Sequence, residues 1–227
     1  MSFKFTVYGH STFGLEIDDY HLLIDPFFDD NPQSPVTADD VQANFILVTH
    51  GHSDHVGDSV KIAQRTGAIV ISNFEITNWL SEKGVDVHPQ HIGGGFHHPF
   101  GYVKLTQALH GSALPDGSYG GMPAGFLITT QAGEKIYVSG DTGLFPGMTL
   151  IGEEGVDLAV LPIGDNFTMG ADDALRAVKL LSPKYVIPSH YNTWDVIKED
   201  PEAWKTRVEA ETDAQVRVLA PGESFNW

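Results

Sequence analysis

The sequence FILVTHGHSDH at residues 45–55 joins an apolar run to a group of polar residues. The apolar run is typical of a buried β-strand, and helical periodicity resumes at Val56, Val60 and Ala63. Between the two patterns lie four residues of metal-ligating type, spaced H-x-H-x-D-H: His50, His52, Asp54 and His55. The polar group is therefore predicted to occupy a loop between a strand and a helix.

Imidazole and carboxylate are the side chains that would have to hold a metal here, because the chain contains no cysteine. A sharp loop lets two alternate histidines point toward one site while the following Asp-His pair points toward a neighbouring site. A turn of solvent-exposed histidines would explain any one of these residues, but such turns seldom concentrate four ligand types. One loop can thus contribute ligands to two metal sites.

Further ligand types follow three later apolar runs. His110 follows the run YVKLTQAL, Asp141 follows KIYVSG, and His190 follows KYVIPS. Because the ends of several strands converge on one rim in layered α/β proteins, these side chains are expected to meet the H-x-H-x-D-H loop. Each residue alone could be structural, but their joint occurrence with that loop favours a metal site.

Alternating strand and helix patterns predict a layered α/β fold. Short β-like runs predict an antiparallel opening at residues 3–9, 13–17 and 21–26. The later patterns predict a helix at about 73–83, strands at about 102–109, 124–130 and 134–139, and then a βαβαβ succession at 156–162, 171–181, 184–188, 201–211 and 215–219. No repeat or low-complexity linker divides the chain, so residues 1–227 are predicted to form a single domain.

The net charge of the chain disfavours some classes of binding partner. A net charge of −17 repels nucleic-acid phosphates and anionic lipid surfaces, although acidity also serves solubility alone. No apolar run approaches the roughly 18 residues of a membrane span, and the first residues do not resemble a signal peptide. We therefore expect a cytoplasmic protein that acts on a small molecule, with no nucleic-acid or membrane partner, and a homo-oligomer is left open.

The order of these motifs resembles the metallo-β-lactamase superfamily over nearly the whole chain: H-x-H-x-D-H, a histidine, G-D-T and a strand-terminal histidine. The segments YGHSTF, IDPF and PIGDNFTMG resemble a small bacterial branch of metal-dependent hydrolases that includes ascorbate phosphate lactonase. The resemblance implies an αββα sandwich. It also implies two metal ions, the first held by His50, His52 and His110, the second by Asp54, His55 and His190, with Asp141 bridging both.

The activity expected from this resemblance is hydrolysis of a small ester, lactone or phosphodiester. Two cations about 3.5 to 4 Å apart can share one water, lower its pKa toward neutrality and deliver hydroxide to a carbonyl or phosphoryl centre. Zn²⁺ suits the histidine-rich set best, and Mn²⁺ or Fe²⁺ would also fit. Asp54 is the expected catalytic residue, orienting the hydroxide and accepting its proton.

Two other functions remain open on the same fold. A di-iron oxidoreductase would, by the same resemblance, usually carry a carboxylate where His52 stands. A non-catalytic metal-binding scaffold would be expected to lack some ligands, whereas all seven positions are filled.

Several other polar residues have two readings. Asp25 would orient a metal-binding histidine or simply end a strand, and Thr142 would steady the Asp141 loop. His10 would support the site or lie on a surface loop. Asp165 and Thr168 are expected to cap the helix near 171 in preference to facing the site.

The remaining histidines are not expected to bind the metals. Adjacent strand residues point to opposite faces, so His97 and His98 should not chelate one ion. Three more histidines are isolated in the sequence: His21, His88 and His91. The glycine-rich stretches 92–101 and 110–123 are expected to form mobile walls around the substrate.

Overall fold

Two mixed seven-stranded β-sheets pack face to face in a computed structural model that describes residues 3–226. The first sheet contains β1 (Phe3–Gly9), β2 (Thr12–Ile17), β3 (Tyr20–Ile24), β4 (Phe45–Leu47), β5 (Ile69–Asn73), β6 (Val87–Gln90) and β14 (Ser224–Asn226). Its order is β14-β1-β2-β3-β4-β5-β6, antiparallel from β14 to β3 and parallel from β3 to β6.

The second sheet repeats this plan. It contains β7 (Gly95–His98), β8 (Gly101–Gln107), β9 (Ala124–Thr130), β10 (Lys135–Val138), β11 (Leu158–Pro162), β12 (Tyr185–Ser189) and β13 (Gln215–Val216). Its order is β13-β12-β11-β10-β9-β8-β7, antiparallel from β7 to β10 and parallel from β10 to β13.

Helices cover the outer face of each sheet, which confirms the αββα sandwich. The first sheet carries α1 (Ser53–Val56), α2 (Ser59–Thr66) and α3 (Phe74–Ser81), and the second carries α4 (Met148–Gly152), α5 (Ala171–Leu181) and α6 (Pro201–Glu211). A 3₁₀ turn spans Asp195–Ile197. No helix within residues 3–226 has both the length and the apolar character needed to cross a bilayer.

Side-chain alternation explains the layers. In β4, Phe45 and Leu47 pack into the core between the sheets, while Ile46 packs outward against the helices of the first sheet. In β9, Phe126 and Ile128 point inward and Leu127 points outward. Strands buried on both faces read as continuous apolar runs, which is the pattern of residues 45–49.

The sequence predicts the long elements better than the short ones. Helices α5 and α6 have the predicted bounds, and Asp200 caps α6 by accepting hydrogen bonds from the amides of Glu202 and Ala203 at 3.0 and 3.1 Å. The predicted loop after β4 is partly wrong, because its last residues form the single turn α1. Sequence patterns did not predict β6, β7, α4 or β14, which are short or lie at sheet edges. The single-domain organisation stays a prediction.

Candidate metal centre

The seven ligand types converge because they follow strands that end at the same rim of the sandwich. β4 leads into the H-x-H-x-D-H segment, and three strands of the second sheet precede the other candidates: β8 precedes His110, β10 precedes Asp141, and β12 precedes His190. In layered α/β folds the carboxyl ends of strands form the usual ligand-binding edge. The sequence prediction that these distant residues meet is confirmed.

Most of the converging side chains form two groups, and a third group, Asp25 with His50 and His55, overlaps both. In each group the potential ligand atoms all lie within 4.8 Å of one another. The first group contains His50, His52 and His110, and the second group contains His10, Asp54, His55 and His190. Apart from the addition of His10, this division matches the two metal sets that the family resemblance implies.

Asp141 lies between the two groups. Its Oδ2 atom is 3.6 Å from His110 Nε2 in the first group, and 3.3 Å from His55 Nε2 and 3.0 Å from His190 Nε2 in the second. The residue is only 3% exposed. One buried carboxylate therefore reaches both groups.

The backbone around Asp141 is shaped by a glycine and a threonine. Gly140 has φ +61°, and a Cβ atom there would lie 2.9 Å from the Cβ of Thr49, so a side chain would collide with the neighbouring loop. Thr142 Oγ1 accepts a hydrogen bond from the Leu109 amide at 2.9 Å and donates to the Gly143 carbonyl at 2.7 Å. Thr142 thus ties the Asp141 loop to the segment before His110, as predicted.

Asp25 orients one histidine of each group. Its Oδ2 atom accepts hydrogen bonds from His55 Nδ1 at 2.7 Å and from the Thr49 hydroxyl at 2.6 Å. Because that hydroxyl donates to Asp25, its oxygen accepts from His50 Nδ1, 3.0 Å away. Both imidazoles are then held with Nε2 toward the site, so Asp25 orients two candidate ligands in addition to ending its strand.

The electrostatics at His55 fit a cation. Burial alone would lower the pKa of this histidine, but the carboxylates of Asp141 and Asp25 raise it well above the ordinary value. Two of the buried polar atoms at this point, His55 Nε2 and Asp141 Oδ1, have no hydrogen-bond partner among residues 3–226. An orphaned buried polar atom costs about 1–3 kcal/mol, and a cation at this point would satisfy both atoms. The residues present therefore suit a metal.

His10 belongs to the site and not to the surface. It is 3% exposed, its Nε2 atom lies 3.0 Å from Asp54 Oδ2, and its ring centroid lies 4.2 Å from that of His190. Three residues of the centre have left-handed backbone: His10 at φ 55°, Asp25 at φ 46° and His190 at φ 54°. Such conformations are uncommon for residues other than glycine and concentrate at functional sites.

The capping prediction for Asp165 and Thr168 is wrong. Gly170 stands at the cap position of α5 and makes no side-chain cap hydrogen bond. Asp165 is exposed, and the Thr168 hydroxyl donates to the Met169 carbonyl at 3.3 Å. A tight local turn, in which the Phe167 amide donates to the Asp165 carbonyl, takes the chain into α5 in place of a side-chain cap.

The histidines outside the site behave mostly as predicted. His97 is exposed and His98 is buried, which confirms that they occupy opposite faces of β7. His21 and His91 are exposed. His88 is partly buried in β6, and its ring centroid lies 4.8 Å from that of His98 across the edge strands.

A cavity of about 790 Å³ opens over the two groups. Apart from ligands, its lining is mainly apolar: Phe27, Pro115, Phe167, Trp194 and Val196. Two further carboxylates, Asp30 and Asp58, also line it, whereas none of the described residues in its wall is a lysine or arginine. Of the two glycine-rich stretches predicted to form walls around the substrate, the stretch 110–123 contributes Pro115 to the cavity wall. The prediction is wrong for the stretch 92–101, which does not line the cavity and instead contains β7.

The exposed apolar side chains in the wall of this cavity were not predicted from the sequence. Phe167, Trp194 and Val196 are large apolar residues in polar loops, and they are 53%, 39% and 62% exposed. Large apolar residues in loops of this kind are the signal that could have identified them.

Comparisons with known proteins agree with this geometry. A family model described as the β-lactamase superfamily domain matches residues 20–191. A UPF0173 metal-dependent hydrolase from Desulforamulus reducens is 52% identical over 97% of this chain and 98% of that protein. The structure of Igni18, a metallo hydrolase from Ignicoccus hospitalis, has 39% identity and a TM-score of 0.92, covering 100% of this chain and 99% of its own.

A more distant likeness concerns the fold alone. CmlA, a diiron β-hydroxylase from Streptomyces venezuelae, has a TM-score of 0.73 at 13% identity, covering 100% of this chain and 53% of its own. The same sandwich therefore occurs in proteins of different chemistry, and the ligand set has to decide between them.

Proposed function

Because the chain belongs to the metallo-β-lactamase superfamily, we propose that it is a metal-dependent hydrolase that binds two divalent cations and cleaves a small ester, lactone or phosphodiester. The observation that carries this proposal is the position of Asp141, whose Oδ2 atom lies within 3.6 Å of imidazole nitrogens from both groups. A carboxylate placed in this way can bind two cations at once.

The donor count supports two cations. The first group offers three imidazoles, and the second offers Asp54, His55 and His190, so the shared Asp141 would complete four donors for each cation. Four nitrogen and oxygen donors suit tetrahedral zinc, and the same donors accept manganese or iron. We therefore propose zinc as the preferred metal.

Cations held by these residues would supply Lewis-acid chemistry: they would lower the pKa of a bound water and polarise the carbonyl or phosphoryl oxygen of a substrate. Asp54 is the residue of this chain that would handle the proton. Its side chain is 22% exposed, it lines the cavity, and its Oδ2 atom is held by His10. Its carboxylate would accept a proton from the attacking water and return it to the leaving group.

The wall of the cavity favours an uncharged substrate within the proposed classes. Asp30 and Asp58 repel an anion at short range, and the lining among the described residues contains no lysine or arginine to anchor a phosphate. The apolar side chains suit the acyl portion of an ester or lactone. We therefore expect esters and lactones to be better substrates than phosphodiester anions.

The ligand set disfavours the two other functions. A di-iron oxidoreductase would be expected to place a carboxylate at His52, but the first group is composed of imidazoles alone. A non-catalytic scaffold would not require Asp54 to face an open cavity.

Metal content and a matched pair of substrates test the proposal. Elemental analysis of protein supplemented with zinc should give about two ions per chain, because the ligands exceed the four that one tetrahedral zinc needs. One ion or fewer would contradict the binuclear proposal. The supplemented protein should then hydrolyse 4-nitrophenyl acetate with a higher kcat/KM than bis(4-nitrophenyl) phosphate.

The charge of the cavity wall can be tested separately. Asp30→Lys should raise relative activity on the phosphodiester, whereas the exposed control Asp19→Lys, outside the cavity wall, should not. A higher kcat/KM for the phosphodiester in the unaltered protein would overturn the substrate preference.

A further inference from the structure

The backbone of His10 links segments of the two sheets by hydrogen bonds beside the second group. Its backbone amide donates to Gln33 Oε1 at 2.8 Å, and its carbonyl accepts from the His190 amide at 3.0 Å. The loop between β1 and β2 is thereby joined to the end of β12. These two hydrogen bonds hold the amide and the carbonyl of His10, whose φ is 55°.

The ring of His10 is equally constrained. Its Nδ1 atom lies 2.8 Å from Thr193 Oγ1, and its Nε2 atom lies 3.0 Å from Asp54 Oδ2. The ring also packs on His190 and against Trp194, with centroid distances of 4.2 and 4.8 Å. Both nitrogens and the ring faces are therefore engaged, so the imidazole cannot turn without losing these contacts.

The protons in this chain of contacts can be placed by chemistry. An ionised carboxylate only accepts hydrogen bonds, so the contact between His10 and Asp54 requires a proton on His10 Nε2. This requirement holds for the neutral ring and for the charged ring alike. At the other nitrogen, the Thr193 hydroxyl can donate to Nδ1 at 2.8 Å or to Gln33 Oε1 at 3.2 Å.

A protonated Nε2 separates His10 from its neighbours in the second group. His10 shares the 4.8 Å cluster with Asp54, His55 and His190, and by distance alone it could be a ligand. A nitrogen that carries a proton has no lone pair for a metal, however, and Nδ1 is turned toward Thr193. His10 therefore acts on Asp54 and not on a cation.

We propose that His10 is a positioning residue, whose Nε2–H holds the Asp54 carboxylate in one orientation toward the reacting water. The catalytic part of this assignment rests on the proposed hydrolase function, whereas the hydrogen bond itself does not. Without the bond, the proposed cation alone would restrain the Asp54 carboxylate, which could turn about that contact and would present its other oxygen correctly for only part of the time. The expected consequence is a lower kcat with little change in KM.

The hydrogen bond can be tested without any activity. Histidine ring ¹⁵N spectra of the full chain, recorded with and without added zinc, report which nitrogen carries a proton. The His10 signal is identified by its loss in His10→Gln. A protonated Nε2 is expected in both samples, and an unprotonated Nε2, or one bound to zinc, would overturn the proposal whether or not the protein proves to be a hydrolase.

Two variants separate positioning from a merely structural role. The amide of glutamine can place an N–H near the position of imidazole Nε2, while the shorter asparagine reaches only the position of Nδ1. Asparagine, in contrast, tolerates the left-handed backbone of residue 10 better than glutamine does. A positioning role therefore predicts that His10→Gln is the more active variant, and a purely conformational role predicts the reverse.

We expect His10→Asn to lower kcat by about tenfold to a hundredfold, the usual effect of losing a partner that orients a site residue. His10→Gln should recover most of that loss, with KM within about twofold and unchanged zinc content in both variants. Equal losses in the two variants, a more active asparagine variant, or zinc loss from both would each overturn the proposal.

Discussion

Histidines pack against one another at two places in this sandwich, and the two places differ in their carboxylates. At the rim, His55 is fully buried and lies beside Asp25 and Asp141, which raise its pKa well above the ordinary value although burial opposes this. At the edge formed by β6 and β7, His98 is also buried, but its neighbours are His88 and aromatic rings. Burial there lowers the pKa of His98 to about 4.

The comparison shows how nearby carboxylates change the charge that a buried histidine prefers. A desolvated ring without a nearby anion prefers to be neutral and packs as an aromatic side chain. His98 does this, lying parallel to Phe100 with an interplanar angle of 6°. A carboxylate behind the ring and another in front of it create a place for positive charge, as Asp25 and Asp141 do at His55.

Removing the shared carboxylate should have the largest effect. Asp141→Asn keeps the shape but replaces a charged oxygen that reaches both groups with an amide that bridges two cations poorly. We expect loss of at least one zinc ion and a fall in kcat/KM of about a hundredfold or more. Elemental analysis and kinetics on the same sample measure both effects, and two retained ions with full activity would contradict the bridging assignment.

Removing the carboxylate that faces the cavity should affect catalysis more than metal content. Asp54→Asn removes the proton acceptor, so kcat should fall by roughly a hundredfold, the scale of a lost acid-base group. Thermal stability should change far less, because Asp54 is partly exposed. Zinc must be measured in the same sample, since loss of the second ion would make Asp54 chiefly a ligand. Wild-type kcat with both ions bound would remove its proton-transfer role.

Removing the Asp25 carboxylate, which orients His55 and His50, should weaken metal binding although none of the proposed ligands is changed. In Asp25→Asn, His55 and Thr49 lose a charged acceptor, and the orientation of His50 loses its support. Zinc affinity, measured by competition with a chromogenic chelator, should fall by about tenfold to a hundredfold. Asp58→Asn is a suitable control, because Asp58 bonds to backbone amides near the cavity but to none of the ligands. An unchanged affinity in Asp25→Asn would contradict the orienting role.

His98, which has no carboxylate beside it within the described chain, should affect the stability of the fold and its pH dependence, and not metal binding. The pKa of His98 is about 4 in the folded protein and near 6.5 when unfolded, so between these values the unfolded chain binds a proton that the folded chain does not. The free energy of unfolding should therefore fall as pH decreases from about 6.5 toward 4, by on the order of 2 kcal/mol from this residue.

His98→Gln should remove that part of the pH dependence, whereas the exposed neighbour His97→Gln should not. Urea unfolding at several pH values provides the measurement. Equal pH slopes in the wild type and in His98→Gln would show that His98 is not held neutral by burial.

Local patterns in the chain predict the layered α/β class and the candidate ligands, whereas the αββα sandwich was implied by the resemblance to a known family. Continuous apolar runs predict strands buried on both faces, and the amphipathic periods of residues 171–181 and 201–211 predict helices whose bounds agree with the structure. The H-x-H-x-D-H spacing indicates metal chemistry because those residue types are close in the chain itself. The strand-terminal positions of Asp141 and His190 indicate where they meet it.

Long-range packing decided the rest. That β14 pairs with β1, that His10 lies under Asp54 and that Asp25 reaches His55 are contacts between segments far apart in the chain, and no local pattern encodes them. Long-range packing also distinguishes the histidine at the rim from the histidine at the edge formed by β6 and β7. His55 and His98 are the same residue type, and each lies close to another histidine in the sequence. Only the tertiary structure puts two carboxylates beside one and aromatic rings beside the other. Residue type sets what a side chain can do, while the charges that folding brings within a few ångströms decide which of those roles it takes.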